Sequence, residues 1–374
     1  MSNNRNIRFS LREVRRQGGF SMVEIMVGIT VSMILMTGVI QLFVGNKQTY
    51  RFHEALARIQ ENGRFSLEMV SNNIRMAGFT GCPLSGTVEN VLNNTGAWTG
   101  VDWWKNFQTG WPGSLVGYDG TQVHPGVAFD SVHVARRIQD TDAITILGGS
   151  GGYSIDPTSV IPTFKLMQLN RPNGGTLGLG NLVIVCNTQN TSLFQVSNTP
   201  SATVPVAHAA TGNPGNSTAA LVSSYVTQSS MVDYAPTAFY VGLSVSGTTR
   251  SLYQLQLQVT STGVASMVAQ ELLEGVENMQ IFYGVGTNGI VTQYLDATNV
   301  PSWSYSSTTP SVLSVRIHLL VSSQNENNLV NQPQTYIFPN DTGDSATMGR
   351  TVLAADRRLY QVFSTTIGIR NRLQ

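Results

Sequence analysis

Few residues in this 374-residue chain stand at spacings that could do chemistry. Gly148-Gly149-Ser150-Gly151-Gly152 fits the G-x-S-x-G pattern of a nucleophilic serine. That elbow must open a helix, and Tyr153-Ser154-Ile155-Asp156-Pro157 reads as a turn, so a hydrolase is not expected. Gly178-Leu179-Gly180 lacks the third glycine and the helix of a dinucleotide site. The five histidines, His53, His124, His133, His208 and His318, show no zinc spacing with cysteines or carboxylates. Asp140-Thr141-Asp142 and Asn340-Asp341-Thr342-Gly343-Asp344 offer hard oxygens suited to calcium, but solvated turns explain both. No catalytic residue and no cofactor are expected. Cys82 and Cys186 are the only cysteines. They form either one disulfide, closing a loop of roughly a hundred residues and worth about 4–5 kcal/mol in the chain-entropy picture, or two buried thiols. The last candidate is Glu24, a lone carboxylate at the head of an apolar run.

That run must position Glu24. From Ile25 to Asn46 there is no charged residue, which is about the 20 residues a helix needs to cross a bilayer. A basic leader precedes it. Residues 1–19 carry Arg5, Arg8, Arg12, Arg15 and Arg16 against Glu13, a net +4; the chain's net +1 therefore leaves −3 for the rest. A secretory signal peptide has an apolar core of about 7–15 residues followed by a small-residue cleavage site. This run is longer and is followed by Gly45-Asn46-Lys47-Gln48-Thr49-Tyr50. A plain anchor explains the length and the cytoplasmic arginines, but not Glu24, because a carboxylate at that depth is costly.

Arg15-Arg16-Gln17-Gly18-Gly19-Phe20-Ser21-Met22-Val23-Glu24 resembles the class III leader junction of type IV pilins and type II secretion pseudopilins. The resemblance implies cleavage between Gly19 and Phe20 by a prepilin peptidase and N-methylation of Phe20. It also implies an assembly role for Glu24 toward the N-terminal amine of a neighbouring subunit.

Behind the run the pattern stays helical but becomes amphipathic. Phe52, Leu56, Ile59, Gly63, Leu67, Val70, Ile74 and Ala77 recur at spacings of three and four, with charges between them; Glu54 and Arg58 form an i,i+4 pair. Gly78 and Pro83 supply a stop. A single helix is expected from about Phe20 to Ala77, roughly 85 Å at ~1.5 Å per residue. Gly28, Gly38 and Gly45 weaken it or admit close packing. Gln41 stands where many major pilins have a proline, so no kink is expected.

The organisation expected is α+β. Residues 1–19 are a cleaved leader. The transmembrane or filament-core half of the helix is 20–45, its amphipathic half 46–78, and a β-rich globular domain fills 79–374. Charged residues are 11% of the chain, against a usual ~25%, which suits an extracytoplasmic β-rich protein. There is no basic field, so no nucleic-acid partner is expected. Trp98, Trp103, Trp104 and Trp111 read as cover for a core, with sugar or base stacking the alternative. Strands are expected at Ser131–Arg136, Ala143–Leu147, Asn181–Cys186, Leu193–Val196, Phe239–Val245, Leu252–Val259, Val312–Val321 and Thr335–Phe338. In Leu252–Val259, apolar residues alternate with Gln254, Gln256 and Gln258. Ile155–Pro162, Asn198–Ser217 and Ala297–Pro310 read as loops, the middle one a mobile surface insertion.

Three blocks narrow the resemblance to the PilW family of minor pilins: Gln60–Cys82, Leu273–Gly284 and Arg357–Asn371. The second block reads as a short helix or turn feeding a strand, the third as a last strand. This resemblance implies a non-enzymatic minor pilin. Its expected partners are other minor pilins, the major pilin, the prepilin peptidase, the inner membrane and a large tip adhesin. The implied role is in a priming or tip complex, the C-terminal domain being periplasmic until the subunit enters a pilus. The nearest alternative is a J-type pseudopilin of type II secretion; a membrane-anchored binding module is a further one.

Overall fold

The fold is that of a computed structural model describing residues 19–82, 88–93, 102–107, 114–155, 176–201, 203–223, 225, 229–306, 308–324, 329–339 and 349–372. Most of the leader, Trp98, Trp111, most of the Ile155–Pro162 loop and the Asn340–Asp344 turn lie outside the described residues. The architecture is α+β, with one long N-terminal helix and a β-rich remainder. Two compact units are distinguished, Met1–His53 and Glu54–Gln374.

Helix α1 runs Met22–Arg75 with no proline to interrupt it. In the first unit every residue from Gly19 to Arg51 is exposed. In the second unit the helix buries Ala55, Ile59, Gly63, Ser66, Val70, Ser71 and Ile74, an i, i+4, i+3 stripe facing a core. Arg58, Glu61, Arg64, Glu68 and Arg75 stay outside. Arg58 donates to Glu54 at 2.6 Å across one exposed turn, an interaction of a few tenths of a kcal/mol. The helix closes in a tight turn: Ala77 N–H bonds the Ile74 carbonyl, and Gly78 at φ +76° carries the chain away.

Sixteen strands follow among the described residues. They are β1 (Val88–Asn90), β2 (Leu115–Tyr118), β3 (Ala143–Ile146), β4 (Gly149–Ser154), β5 (Leu182–Cys186), β6 (Thr191–Gln195), β7 (Ser230–Tyr234) and β8 (Thr237–Leu243). The second half comprises β9 (Arg250–Val259), β10 (Ala265–Glu274), β11 (Val276–Thr287), β12 (Ile290–Leu295), β13 (Ser311–Ser322), β14 (Thr335–Phe338), β15 (Arg350–Leu353) and β16 (Tyr360–Gly368). Three sheets have the orders β1-β6-β5-β7-β4, β10-β9-β8-β3-β2 and β12-β11-β13-β16, and β14 pairs with β15 as a ribbon. Pairing is antiparallel except between β1 and β6.

Burial explains the strand sequences. Leu182-Val183-Ile184-Val185-Cys186 is buried throughout because β5 has a core on each face. Leu182 and Ile184 belong to one core cluster with Tyr240, Tyr253 and Trp103; Val183 and Val185 belong to another with Phe194, Tyr225 and Met231. A strand buried on both faces needs a continuous apolar run. Strand β13 is buried along most of its length, with only Arg316 and His318 part-exposed. Val315, Ile317 and Leu319 are fully buried, while Leu320 belongs to a second cluster with Tyr360 and the ribbon residue Phe338. Phe363, opposite Leu319, lies where a Cβ on Gly63 would sit. Glycine at 63 therefore lets α1 lie directly on the ring. Asn371 ties the end of the chain to the end of the helix, donating to the Ala77 carbonyl at 3.0 Å.

Several expectations need correction. Ser131–Arg136 is a bend with isolated bridges rather than a strand; Val132 and Val134 are exposed, so no core holds the segment extended. Of the two readings of Leu273–Gly284, the turn feeding a strand is the one present: β10 ends at Glu274, the chain turns at Gly275 (φ +94°) and β11 follows. The Asn198–Ser217 segment is tied down: Gln195 donates to the Asn213 carbonyl and accepts from Gly215, Asn216 donates to the Gln195 carbonyl, and Val206 is fully buried.

Candidate functional site

The chemistry-bearing end of the molecule is the start of α1. Gly19 precedes the helix and is exposed, and a Cβ added there would meet nothing within 4 Å. Phe20 is 83% exposed. Ser21 is the residue from which the helix starts, its carbonyl accepting from Ile25 N–H at 3.2 Å. Its hydroxyl accepts from Val23 N–H at 3.3 Å, and Ser21 N–H donates to Glu24 Oε2 at 3.0 Å. This is a reciprocal cap: serine and a glutamate three residues on each satisfy an amide that the helix leaves unpaired. Ser21 was not among the residues singled out above, although S-x-x-E before an apolar run is the signature of such a cap. The negative charge also lies at the positive end of the helix dipole.

Downstream of Glu24 the helix presents an apolar surface on all sides, including Ile29, Ile34, Leu35, Leu42 and Phe43. Its threonines are satisfied internally: Thr30 donates to the Met26 carbonyl at 3.0 Å and Thr37 to that of Met33 at 2.8 Å. Hydroxyls bonded this way need no water, which a hydrocarbon environment cannot supply. Over Gly28, Gly38 and Gly45 the helix surface is open. Among the described residues α1 is the one helix long and apolar enough to cross a membrane.

The other sequence candidates lie elsewhere. Cys82 and Cys186 form a disulfide across a separation of 104 residues, joining the segment that leaves α1 to the end of β5. The Leu273–Gly284 and Arg357–Asn371 blocks meet in space. Glu277 on β11 receives Arg358 at 2.5 Å, and Arg358 also donates to Asp356 at 2.7 Å and to the Tyr360 hydroxyl at 2.6 Å. Burial pulls Arg358 toward its neutral form, but the charge of Glu277 and the bond to Asp356 outweigh it and hold the guanidinium above its usual value. Asp356 is held below the usual carboxylate range; its burial opposes this, and its hydrogen bonds from Arg358 prevail.

Ser150 lies within β4, opposite Asp233 of β7. It is not at a strand-to-helix elbow. Asp142 accepts from Ile281 N–H at 2.7 Å, and the Asp140 carbonyl accepts from Gln280 at 3.1 Å, so this pair joins two sheets. Trp103 and Trp104 are buried, which leaves neither ring a free face for a ligand. His124 is buried. Its Nδ1 accepts from Gly126 N–H, so Nε2 donates to the Thr145 hydroxyl at 2.9 Å. Burial first, then the nearby Arg137 charge, hold this histidine down at about 3. It is a neutral structural group at neutral pH. Among the described residues no three His, Cys, Asp or Glu side chains form a metal cluster.

Two family models match the chain. One, described as Type IV Pilus-assembly protein W, matches residues 238–371, from β8 through the C-terminal 3-10 turn Arg370–Arg372. The other, the prokaryotic N-terminal methylation motif, matches residues 14–40, the leader junction and the first apolar turns of α1. No curated protein and no solved structure matches the chain.

Proposed function

We propose that the chain is a type IV minor pilin of the PilW kind, inserted in the inner membrane and then drawn into a filament; the matches over residues 238–371 and 14–40 support this reading. The leader is removed between Gly19 and Phe20 by the prepilin peptidase, and Phe20 is methylated. The subunit then joins other minor pilins in a complex that primes assembly and remains at the pilus tip. It catalyses nothing itself.

The observation that carries this reading is the bare apolar helix ending in a capped carboxylate. Each large apolar side chain gains about 1.5–3 kcal/mol on leaving water. A surface with more than a dozen of them between Met22 and Val44 must be covered by lipid or by similar helices. Transfer from lipid to a filament core then replaces one apolar surround by another. Packing and polar contacts decide the outcome. Glu24 supplies such a contact. One of its oxygens holds Ser21 N–H, and the other is left for the N-terminal amine of a neighbour. The lack of any steric reason for glycine at position 19 within this chain fits a requirement imposed by the peptidase.

The test is fibre incorporation in cells carrying Glu24→Ala. The subunit should still be cleaved and found in the membrane, but should be missing from sheared fibres, with fewer fibres per cell. Normal fibres containing the variant subunit would contradict the proposal.

A further inference from the structure

One face of β9 has no part in the pilus reading. Gln254, Gln256 and Gln258 alternate along it, and its neighbour β10 places Gln270 directly opposite Gln254. This amide face does not open onto bulk solvent alone. Ser150 and Asp233 of the first sheet and Asn73 of α1 converge on it around a groove of about 650 Å³, within the ~300–1,000 Å³ of small-ligand sites.

The lining selects a ligand class. Among the described residues its lining contains no lysine, arginine or histidine, and Asp233 is the single charged one, so phosphates, nucleic acids and acidic saccharides meet no counter-charge from them. Amides and hydroxyls supply donors and acceptors in pairs. Gln254 Nε2 is held by the Thr237 hydroxyl at 2.9 Å, and Gln256 Nε2 by the Gln270 carbonyl oxygen. Asp233 is held by the Tyr153 hydroxyl at 3.0 Å. These bonds fix the side chains before any ligand arrives, which lowers the ordering cost of binding. Pro236 adds apolar surface beside the polar groups, while Leu257 and Val259, on the opposite face of β9, pack against the core. Strand β9 is hydrogen-bonded on both edges, to β8 and β10, so a polypeptide cannot add to it as an extra strand. What fits is a neutral molecule dense in hydroxyls with apolar C–H faces.

We propose that this groove is a binding site for a neutral oligosaccharide, a site independent of the assembly role of α1. Its test uses the full chain in a detergent without a sugar headgroup, such as dodecylphosphocholine. Chitotetraose, maltotetraose and cellotetraose serve as neutral probes and a heparin tetrasaccharide as the anionic one, with binding read by saturation-transfer NMR and titration. At least one neutral probe should bind. Replacing both exposed-side amides, Gln256→Ala with Gln258→Ala, should weaken it about tenfold or more, the loss of one or two hydrogen bonds, with the melting temperature unchanged. Where that pair disturbs folding, the single variant Gln258→Glu should weaken the same probe. The proposal is overturned if none of the neutral probes binds in the millimolar range, if the heparin probe binds more tightly, or if binding survives both variants. A co-expressed pilin subunit held by the wild type and released by the variants, with no saccharide signal, would overturn it equally.

Discussion

At the scale of single residues, Glu24 answers two demands that pull together. It is a charge in an apolar stretch, yet it caps its own helix through Ser21 N–H, so its placement costs less than an unpaired carboxylate at that depth would. Replacing Ser21 by alanine should cost about 1 kcal/mol of helix-start stability. Faster amide hydrogen exchange at Met22–Ile25 in micelles would report it, and unchanged exchange would refute the cap. His124 and His318 give a second residue-scale expectation. Burial, then Arg137, keeps His124 down at about 3; burial, then Arg316, keeps His318 at about 4. Both are neutral when folded and take up a proton on unfolding once the pH falls below the ordinary value of about 6.5. The unfolded state then binds more protons, so stability is complete above about 6.5 and declines as pH falls toward 4, at up to about 1.4 kcal/mol per unit for the buried His124 and less for the part-exposed His318, whose charge solvent screens. Asp356 adds its own loss below about pH 4 because its folded value is depressed. Urea midpoints from pH 7 to 4.5 should fall in the wild type and fall less steeply in His124→Gln.

Among the elements, the pattern-rich ones were legible and the context-made ones were not. The stripe Ile59, Gly63, Val70, Ile74 named the buried face of α1, and the solid run in β5 and the alternation in β9 named their strands, because each records how many faces a core covers. Strand β10 left no such record. Ala265-Ser266-Met267-Val268-Ala269-Gln270-Glu271 is rich in good helix formers, and only its pairing with β9 makes it a strand. The cysteines were visible, but their pairing was not, since nothing local brings residue 82 to residue 186. Removing that bond should cost about 4–5 kcal/mol in the chain-entropy picture. Urea unfolding of the full chain with and without reductant reads it; equal midpoints would mean the closed loop contributes nothing. The seat of α1 is a second element-scale case. Gly63→Leu should destabilise by about 1–3 kcal/mol through overlap with Phe363, and Phe363→Ala should restore part of the loss in the double variant. Additive losses would place the helix elsewhere.

For the molecule as a whole, the residues matched by the two family models, 14–40 and 238–371, leave a long middle stretch that contains the first sheet and both cysteines of the disulfide. The amide groove lies where that stretch meets the matched C-terminal part, which is why no familiar pattern announced it: its residues come from α1, β4, β5, β7, β8 and β9. The exposed apolar half of α1 sets the behaviour of the intact chain. Removing residues 1–48 should yield a protein that stays in solution without detergent and melts cooperatively, whereas the full chain should need micelles. Aggregation of the shortened form would contradict the assignment of that half as the membrane-seeking part. Cleavage at the junction of Gly19 and Phe20 is tested most directly by mass spectrometry of the N-terminus of the protein taken from its native membrane. A mature chain beginning at methylated Phe20 is expected; a chain still beginning at Met1, or cut beyond Val44, would contradict it.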